Sequence, residues 1–285
     1  MLDNTSNPTS VHPVGLTIAG SDSGGGAGIQ ADLKAFHYFG VHGISALTAA
    51  TAQNPHEVSG IYPLSAEAVA AQLDALFAAF SVCTAKTGML FSREIIDAVA
   101  DSLDQRPPLK LVVDPVMVAT SGARLLKEDA VESLRRRLLP LAAVITPNIP
   151  EAEILSGTQL QSLEDAAAAA ADLSRQFEAC ILIKGGHRSA ESATDILVDG
   201  KNVWRICSPI LSLKTAHGTG CMLSSAIAAN LAIGHDTATA VKRAKAYVYG
   251  SLKNCVRVGS DTYALMPPAA LPLDDVTIEA YKSNT

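Results

Sequence analysis

The segment 215–221, with the sequence TAHGTGC, combines residues that could bind an anion. Two glycines bracket Thr219, and the small, apolar sequence that follows predicts a helix beginning at about Cys221. The free N–H groups and positive dipole end of a helix start suit a phosphate, and glycine lets that phosphate approach the backbone. The same field is expected to lower the pKa of the Cys221 thiol. A plain glycine-rich loop before a buried helix is the alternative.

A second glycine-rich loop, residues 20–28, separates an apolar, β-prone run at 14–19 from a segment with helical spacing. This layout resembles a phosphate-binding loop, but neither G-x-x-x-x-G-K-[ST] nor G-x-G-x-x-G is present. The loop is therefore predicted to bring its backbone close to a small ligand. Asp22, its one charged side chain, could line that site or serve only as a turn or capping residue.

Polar residues follow several of the predicted strands. Gln53 closes the apolar run 44–52, Asp114 interrupts the run 111–117, and Lys184 ends the run 180–184. Because the carboxyl ends of parallel strands face one crevice, we expect these side chains to lie near a ligand. A loop amide with satisfied hydrogen bonds and a solvated lysine are the simpler interpretations of Gln53 and Lys184.

Asn148 and Glu151 follow another short apolar run, at 142–146. Pro150 suits the first turn of a helix, and Glu151 in that turn could simply complement the helix dipole. Together with the residues above and Gly218, this pair is predicted to reach the same crevice.

The alternation of strands and helices predicts an α/β fold, a single three-layer α/β/α domain with a mostly parallel central sheet. We place this domain at 14–285, after a flexible tail at 1–13. The segments 195–198 and 203–206 predict an antiparallel hairpin at an edge of the sheet. The tail after Gly259 has no strong pattern.

Composition excludes several classes of function. The chain has 285 residues and a net charge of −6, with 22 dispersed Lys and Arg residues, so nucleic-acid binding is disfavoured. The five cysteines contain no C-x-x-C pair, which argues against a zinc site or a disulfide framework and favours reduced thiols. The polar N-terminus and the short apolar runs predict neither a secretory signal nor a membrane span, so we expect a cytoplasmic protein.

The motifs AGSD, GGAGIQADLK, TAQN, KTGML, VVDPVM, TPNIPEAE, IKGGH and HGTGC occur along the chain in that order. In order and approximate spacing they resemble the ribokinase-like superfamily and, more closely, the bacterial hydroxymethylpyrimidine/phosphomethylpyrimidine kinases of thiamine biosynthesis. The resemblance covers about residues 15–256. Gly24, Pro55 and Met222 depart from the family pattern, and none of these departures removes a proposed catalytic group.

This resemblance implies roles for residues already singled out. The implied anion hole and proton acceptor are Gly218, Thr219, Gly220 and Cys221. The implied pyrimidine pocket contains Gly20, Asp22, Gln53 and Met89. The implied ATP contacts are Asn148, Lys184 and Thr219, and the implied magnesium ligands are Asp114 and Glu151.

The resemblance further implies an ATP- and Mg²⁺-dependent kinase that acts as a homodimer. It would phosphorylate 4-amino-5-hydroxymethyl-2-methylpyrimidine and then convert the monophosphate to the pyrophosphate. A pyridoxal-type vitamin kinase is the nearest alternative. A vitamin- or nucleotide-binding regulator without turnover is another, although the presence of Cys221, Glu151 and Asp114 argues against it. A dehydrogenase is disfavoured because the dinucleotide fingerprint is missing.

Overall fold

Apolar strands alternate with helices through most of the chain, as the sequence predicts. The computed structural model describes residues 11–117, 126, 128–185, 192–211 and 217–281. Its strands are β1 (Val14–Asp22), β2 (His42–Gln53), β3 (Val58–Pro63), β4 (Val82–Thr87), β5 (Lys110–Val113), β6 (Val144–Ile145), β7 (Cys180–Lys184), β8 (Ser192–Asp199), β9 (Asn202–Pro209), β10 (Val256–Arg257), β11 (Tyr263–Ala264) and β12 (Thr277–Ala280).

The helices differ in how they begin: side chains such as Ser65, Ser92 and Asn148 cap some of them, whereas those that follow Ala27 and Gly218 have no side-chain cap. The helices are α1 (Gly28–Tyr38), α2 (Ala66–Ala79), α3 (Arg93–Asp104), α4 (Glu128–Ser133), α5 (Ile149–Ser156), α6 (Leu163–Phe177), α7 (Thr219–Ala232) and α8 (Thr237–Lys253). Ser162 and Asp165 form the predicted capping box of α6. The helix predicted at 128–139 changes after α4 into a π-helical turn and then a 3₁₀ turn that contains Pro140, which cannot donate a backbone hydrogen bond.

The main sheet is built around six parallel strands in the order β7-β6-β5-β4-β1-β2. Antiparallel strands extend it at both sides, with β3 beside β2 and β8 beside β7. The predicted hairpin of β8 and β9 is confirmed, but its position at the sheet edge is wrong, because β12 pairs with the outer side of β9. The tail therefore completes the sheet, through a strand too short for its pattern to predict.

Alternate residues of the central strands point to opposite faces of the sheet. Leu111 and Val113 of β5 belong to a core that includes α2, α3, α5 and α6, whereas Val112 belongs to a core that includes α1, α7 and α8. Helices thus cover both faces, which confirms the predicted three-layer α/β/α architecture. No described helix has the length and apolar character needed to cross a membrane.

Some predictions fall outside the described residues. The tail at 1–13 lies there in part, as do residues 186–187 of IKGGH and 215–216 of the TAHGTGC segment. The division into a tail and one domain at 14–285 stays a prediction.

Candidate active site

One cleft collects nearly all the predicted site residues at the carboxyl ends of the parallel strands. Its lining includes Gly20, Asp22, Gln53, Met89, Asp114, Asn148, Glu151, Lys184, Gly218, Gly220 and Cys221. Thr219 is the predicted residue that does not line this cleft, and it begins α7 instead. Lys86 and His217 also line it, and sequence reasoning assigned no role to either.

The glycine turn before α7 packs directly on the first glycine loop. Gly218 has a φ of 83°, and a Cβ at this position would lie 1.8 Å from the carbonyl oxygen of Gly26. Only glycine fits there, because a Cβ would collide with the backbone of Gly26. Residues with a side chain also rarely adopt a positive φ. The turn therefore delivers the free N–H groups of α7 to the cleft, two residues earlier than predicted.

Gly220 lies beside two charged side chains of the cleft. A Cβ at Gly220 would be 3.6 Å from Lys184 Nζ and 3.7 Å from Asp114 Oδ2. Lys184 donates to Asp114 Oδ1 at 2.9 Å, and Ser224 Oγ on the second turn of α7 donates to Asp114 Oδ2 at 3.1 Å. A buried carboxylate, an ammonium group and a helix start are thus held together within one network.

The pKa of Cys221 departs from the sequence prediction. Burial raises the pKa of this thiol to about 11, although Lys86 and a hydrogen bond from the Gly28 amide act in the opposite direction. The expectation that the helix start lowers the pKa is therefore wrong. Desolvation disfavours the thiolate more strongly than these favourable contacts stabilise it.

Asp22 organises the first glycine loop and ties it to the turn before α7. Its carboxylate accepts hydrogen bonds from the amides of Gly24 and Ala27, both at 2.8 Å, and lies 2.9 Å from His217 Nε2. Burial tends to raise the pKa of Asp22, but the His217 and backbone hydrogen bonds outweigh it and the pKa is lowered. Asp22 is thus a turn residue that organises the loop and also lines the cleft.

Gln53 ends β2 at the rim of the cleft. Its amide oxygen accepts from Thr51 Oγ1 at 3.1 Å, and its amide nitrogen lies 3.4 Å from His217 Nε2. Met89, which also lines the cleft, is buried, and its terminal methyl lies 2.6 Å from the position that a Cβ on Gly20 would occupy. A flat amide and a thioether therefore share one cleft with the glycine loop.

Asn148 and Glu151 form a capping box at the start of α5. The Asn148 side chain accepts from the Glu151 amide, and Glu151 Oε2 accepts from the Asn148 amide, both at 2.9 Å. Burial raises the pKa of Glu151 to about 7, with Lys184 lowering it and Asp114 raising it. Two buried carboxylates, Asp114 and Glu151, thus interact in the cleft. The described residues contain no cluster of three or more potential metal ligands.

Lys86 carries a buried charge at the base of the cleft. Its ammonium donates to both carboxylate oxygens of Asp32 on α1, at 2.9 and 3.0 Å, and Thr17 Oγ1 donates to the same carboxylate at 2.6 Å. A lysine within an apolar strand and an aspartate on the buried side of α1 were the available signals. Sequence reasoning treated both only as parts of family motifs.

The sequence of this chain matches a protein-family model described as phosphomethylpyrimidine kinase over residues 22–266. The hydroxymethylpyrimidine/phosphomethylpyrimidine kinase of Rhizobium meliloti is 47% identical over 252 residues, which cover 86% of this chain and 92% of that protein. Its counterpart in Bacillus subtilis is 42% identical, covering 86% of this chain and 91% of that protein.

Solved structures give the same fold. The phosphomethylpyrimidine kinase of Clostridium difficile is 41% identical with a TM-score of 0.73, covering 83% of this chain and 98% of that one. The pyridoxal kinase of Staphylococcus aureus in complex with AMP-PCP is 33% identical with a TM-score of 0.86, covering 95% of this chain and 100% of that one.

Proposed function

Because this chain belongs to the phosphomethylpyrimidine kinase family, we propose that it transfers the γ-phosphate of ATP to the hydroxymethyl group of 4-amino-5-hydroxymethyl-2-methylpyrimidine. In a second transfer it phosphorylates the resulting monophosphate to the pyrophosphate, within thiamine biosynthesis. The observation that carries this proposal is the Lys184–Asp114 pair beside the start of α7. Phosphoryl transfer requires alignment and charge neutralisation more than covalent catalysis, and this arrangement supplies both.

The transferring phosphate would lie between α7 and Lys184. The amides of Gly218, Gly220 and Cys221 would donate to its oxygens, as helix starts do for anions. Lys184 is an ammonium whose pKa is raised, because Asp114 and Glu151 together outweigh the opposing effect of burial. Lys184 therefore stays charged at neutral pH and can contact the nucleotide phosphates, and Asn148 is paired with it through a parallel β-bridge.

Asp114 and Glu151 fit a magnesium ion. Mg²⁺ is commonly held by one or two carboxylates, with water and substrate phosphates completing its octahedron. Burial is the main cause of the raised pKa of Glu151, and the nearby Asp114 carboxylate adds to it, so a bound cation would favour the ionised form of this pair. When bound, the ion would neutralise charge on the nucleotide phosphates.

The acceptor alcohol would face Cys221. In the first transfer the alcohol has to lose its proton as its oxygen attacks phosphorus, and Cys221 at the start of α7 could accept that proton in its thiolate form. In the second transfer the acceptor is an ionised phosphate and needs no base. The pyrimidine ring would be held by other residues of the cleft lining, Gly20, Asp22, Gln53 and Met89.

A pyridoxal kinase activity is the second candidate. It is favoured by the S. aureus pyridoxal kinase in complex with pyridoxal, which has a TM-score of 0.86 and covers 95% of this chain. Purified enzyme should be given MgATP with the pyrimidine alcohol, its monophosphate or pyridoxal, and the products identified by mass spectrometry. Formation of the pyrimidine monophosphate and pyrophosphate supports our proposal, and phosphorylation of pyridoxal alone would replace it.

We also propose a cytoplasmic homodimer, which rests on the family resemblance. Light scattering coupled to size-exclusion chromatography should give a mass near twice 29.6 kDa. A monomer at micromolar concentration would reject the dimer without affecting the proposed reaction.

Gln53→Met should shift the choice of substrate ring. An aminopyrimidine edge offers a ring-nitrogen acceptor beside an amino donor, and one primary amide complements both. Pyridoxal offers no such pair, so we expect pyrimidine kcat/KM to fall roughly ten- to a hundredfold while any pyridoxal activity is equal or raised. Both substrates should be measured on both enzymes. An unchanged ratio would show that Gln53 does not recognise the ring.

Glu151→Gln should weaken the magnesium dependence of turnover. The substitution removes one of two buried carboxylates but keeps an oxygen that can cap α5. We expect the magnesium concentration for half-maximal rate to rise roughly tenfold, while pyrimidine binding stays nearly intact.

The control for this experiment is Asp165→Asn, which changes the equivalent capping acid of α6, at a site that does not line the cleft. It should leave the magnesium titration unchanged. If Glu151→Gln also leaves it unchanged, Glu151 serves only as a helix cap.

A further inference from the structure

The ion pair between Lys86 and Asp32 is completely buried. Both side chains are 0% exposed, and the pair connects β4 to α1, the helix that follows the first glycine loop. A buried ion pair seldom stabilises a fold more than apolar residues of similar size would, because both charges lose their hydration. The position of the pair at the cleft therefore suggests a functional role.

The Lys86 ammonium also retains hydrogen-bonding capacity. An ammonium can donate three hydrogen bonds, and Lys86 donates to the two carboxylate oxygens of Asp32. No third acceptor is found for it among the residues that the structure describes. Asp32 is held in turn by Thr17 Oγ1, so the ammonium is fixed at the base of the cleft that Cys221 also lines.

Charges from several elements face Cys221. Lys86 on β4 acts on the thiol more strongly than Asp32 on α1 and Asp114 after β5, and Lys184 on β7 and Cys221 also interact electrostatically. Among the groups that lower the pKa of Cys221 and so favour the thiolate, Lys86 has the largest effect, and the negative charge of Asp32 partly cancels it. The pKa of Lys86 is itself raised, because the attraction of Asp32, Cys221 and Asp114 exceeds the effect of burial. Lys86 therefore remains a cation.

We propose that Lys86 is a positioning residue for the first phosphorylation, its ammonium supplying the positive charge beside which the Cys221 thiolate forms. The inference rests on the proposed kinase function. The alcohol proton passes to Cys221 Sγ as the alcohol oxygen bonds to the γ-phosphorus and the bond to the ADP oxygen breaks. Cys221 then returns this proton to solvent, and Lys86 keeps its own protons throughout.

The two partners of the pair should change Cys221 in opposite directions. Lys86→Met removes the nearby positive charge, and the buried Asp32 left behind can become protonated. In Asp32→Asn, Cys221 becomes the acidic group with the largest remaining electrostatic effect on Lys86. Alkylation of Cys221 by iodoacetamide, followed by peptide mass spectrometry at several pH values, reports thiolate formation without needing turnover.

We expect the alkylation rate at pH 8 to fall roughly tenfold in Lys86→Met and to rise by a similar factor in Asp32→Asn, as a shift of about one pKa unit gives. The pH profile of the first phosphorylation should move in the same directions, and that of the second should not. Met and Asn keep the approximate size of the original side chains. The double variant removes both charges if a single variant fails to fold.

Lys245→Met is the matched control. It breaks another buried Lys–Asp pair, with Asp195 at 2.6 Å, which is not among the largest influences on Cys221. It should leave Cys221 alkylation unchanged. Equal increases in Lys86→Met and Asp32→Asn would indicate mere loosening of the cleft, and no change in Lys86→Met would also overturn the proposal. If wild-type enzyme phosphorylates none of the substrates, the kinase assignment fails, whatever the alkylation rates.

Discussion

Gly220→Asp is expected to abolish phosphoryl transfer in a protein that still folds. The new carboxylate would project from a Cβ position 3.6 Å from Lys184 Nζ and 3.7 Å from Asp114 Oδ2. It would compete with the phosphate for the Lys184 ammonium and repel the Asp114 carboxylate. It would also place a negative charge where negative charge develops on the transferring phosphate. Loss of one donor from such a site costs roughly 10²–10³ in rate, and a misplaced charge should cost at least as much.

Gly220→Ala separates the effect of charge from that of size. Gly220 is helical and has no positive φ, and the two contacts of an added Cβ are ordinary van der Waals distances. We therefore expect Gly220→Ala to fold and to keep most of its activity. Single-turnover rates with MgATP and the pyrimidine alcohol should be compared for both variants. Near-normal turnover in folded Gly220→Asp would reject the anion-binding role of this turn.

Much of the fold could be predicted because buried parallel strands have a simple pattern. The runs that became β1, β5 and β7 are continuous apolar segments ended by glycine or a polar residue. The tail strand β12 could not be found this way. It has four residues, three of them exposed, and it is held by pairing with β9 rather than by an apolar pattern of its own.

The location of the site was also accessible from the sequence, since polar residues at the ends of parallel strands must share one edge. The electrostatics were not. A helix start suggests a lowered thiol pKa, but whether burial outweighs it at Cys221 depends on packing that no local pattern contains. The Lys86–Asp32 pair likewise joins residues 54 positions apart, so neither side chain indicates its partner.

Cys221→Ala should separate the two phosphorylations. Loss of a general base typically costs about two to four decades in rate, and we expect that loss for the alcohol and a much smaller one for the monophosphate. Both reactions should be followed by ADP release in the same preparation, with Cys83→Ala as control, since Cys83 is exposed and does not line the cleft. Equal losses on both substrates would mean that Cys221 positions or packs rather than accepts a proton.

The pH dependence gives an independent test of the same role. Because burial raises the pKa of Cys221 to about 11, only a small fraction is thiolate at neutral pH, and that fraction grows about tenfold per pH unit below the pKa. If the thiolate accepts the alcohol proton, the ratio of the first rate to the second should rise between about pH 7.5 and 9, where the acceptor phosphate of the second reaction is already ionised. Both reactions use ATP, magnesium and Lys184, so any pH dependence that these contribute is common to the two rates and cancels in the ratio. In Cys221→Ala the ratio should become independent of pH, and a slope that survives the substitution would assign the proton to another acceptor.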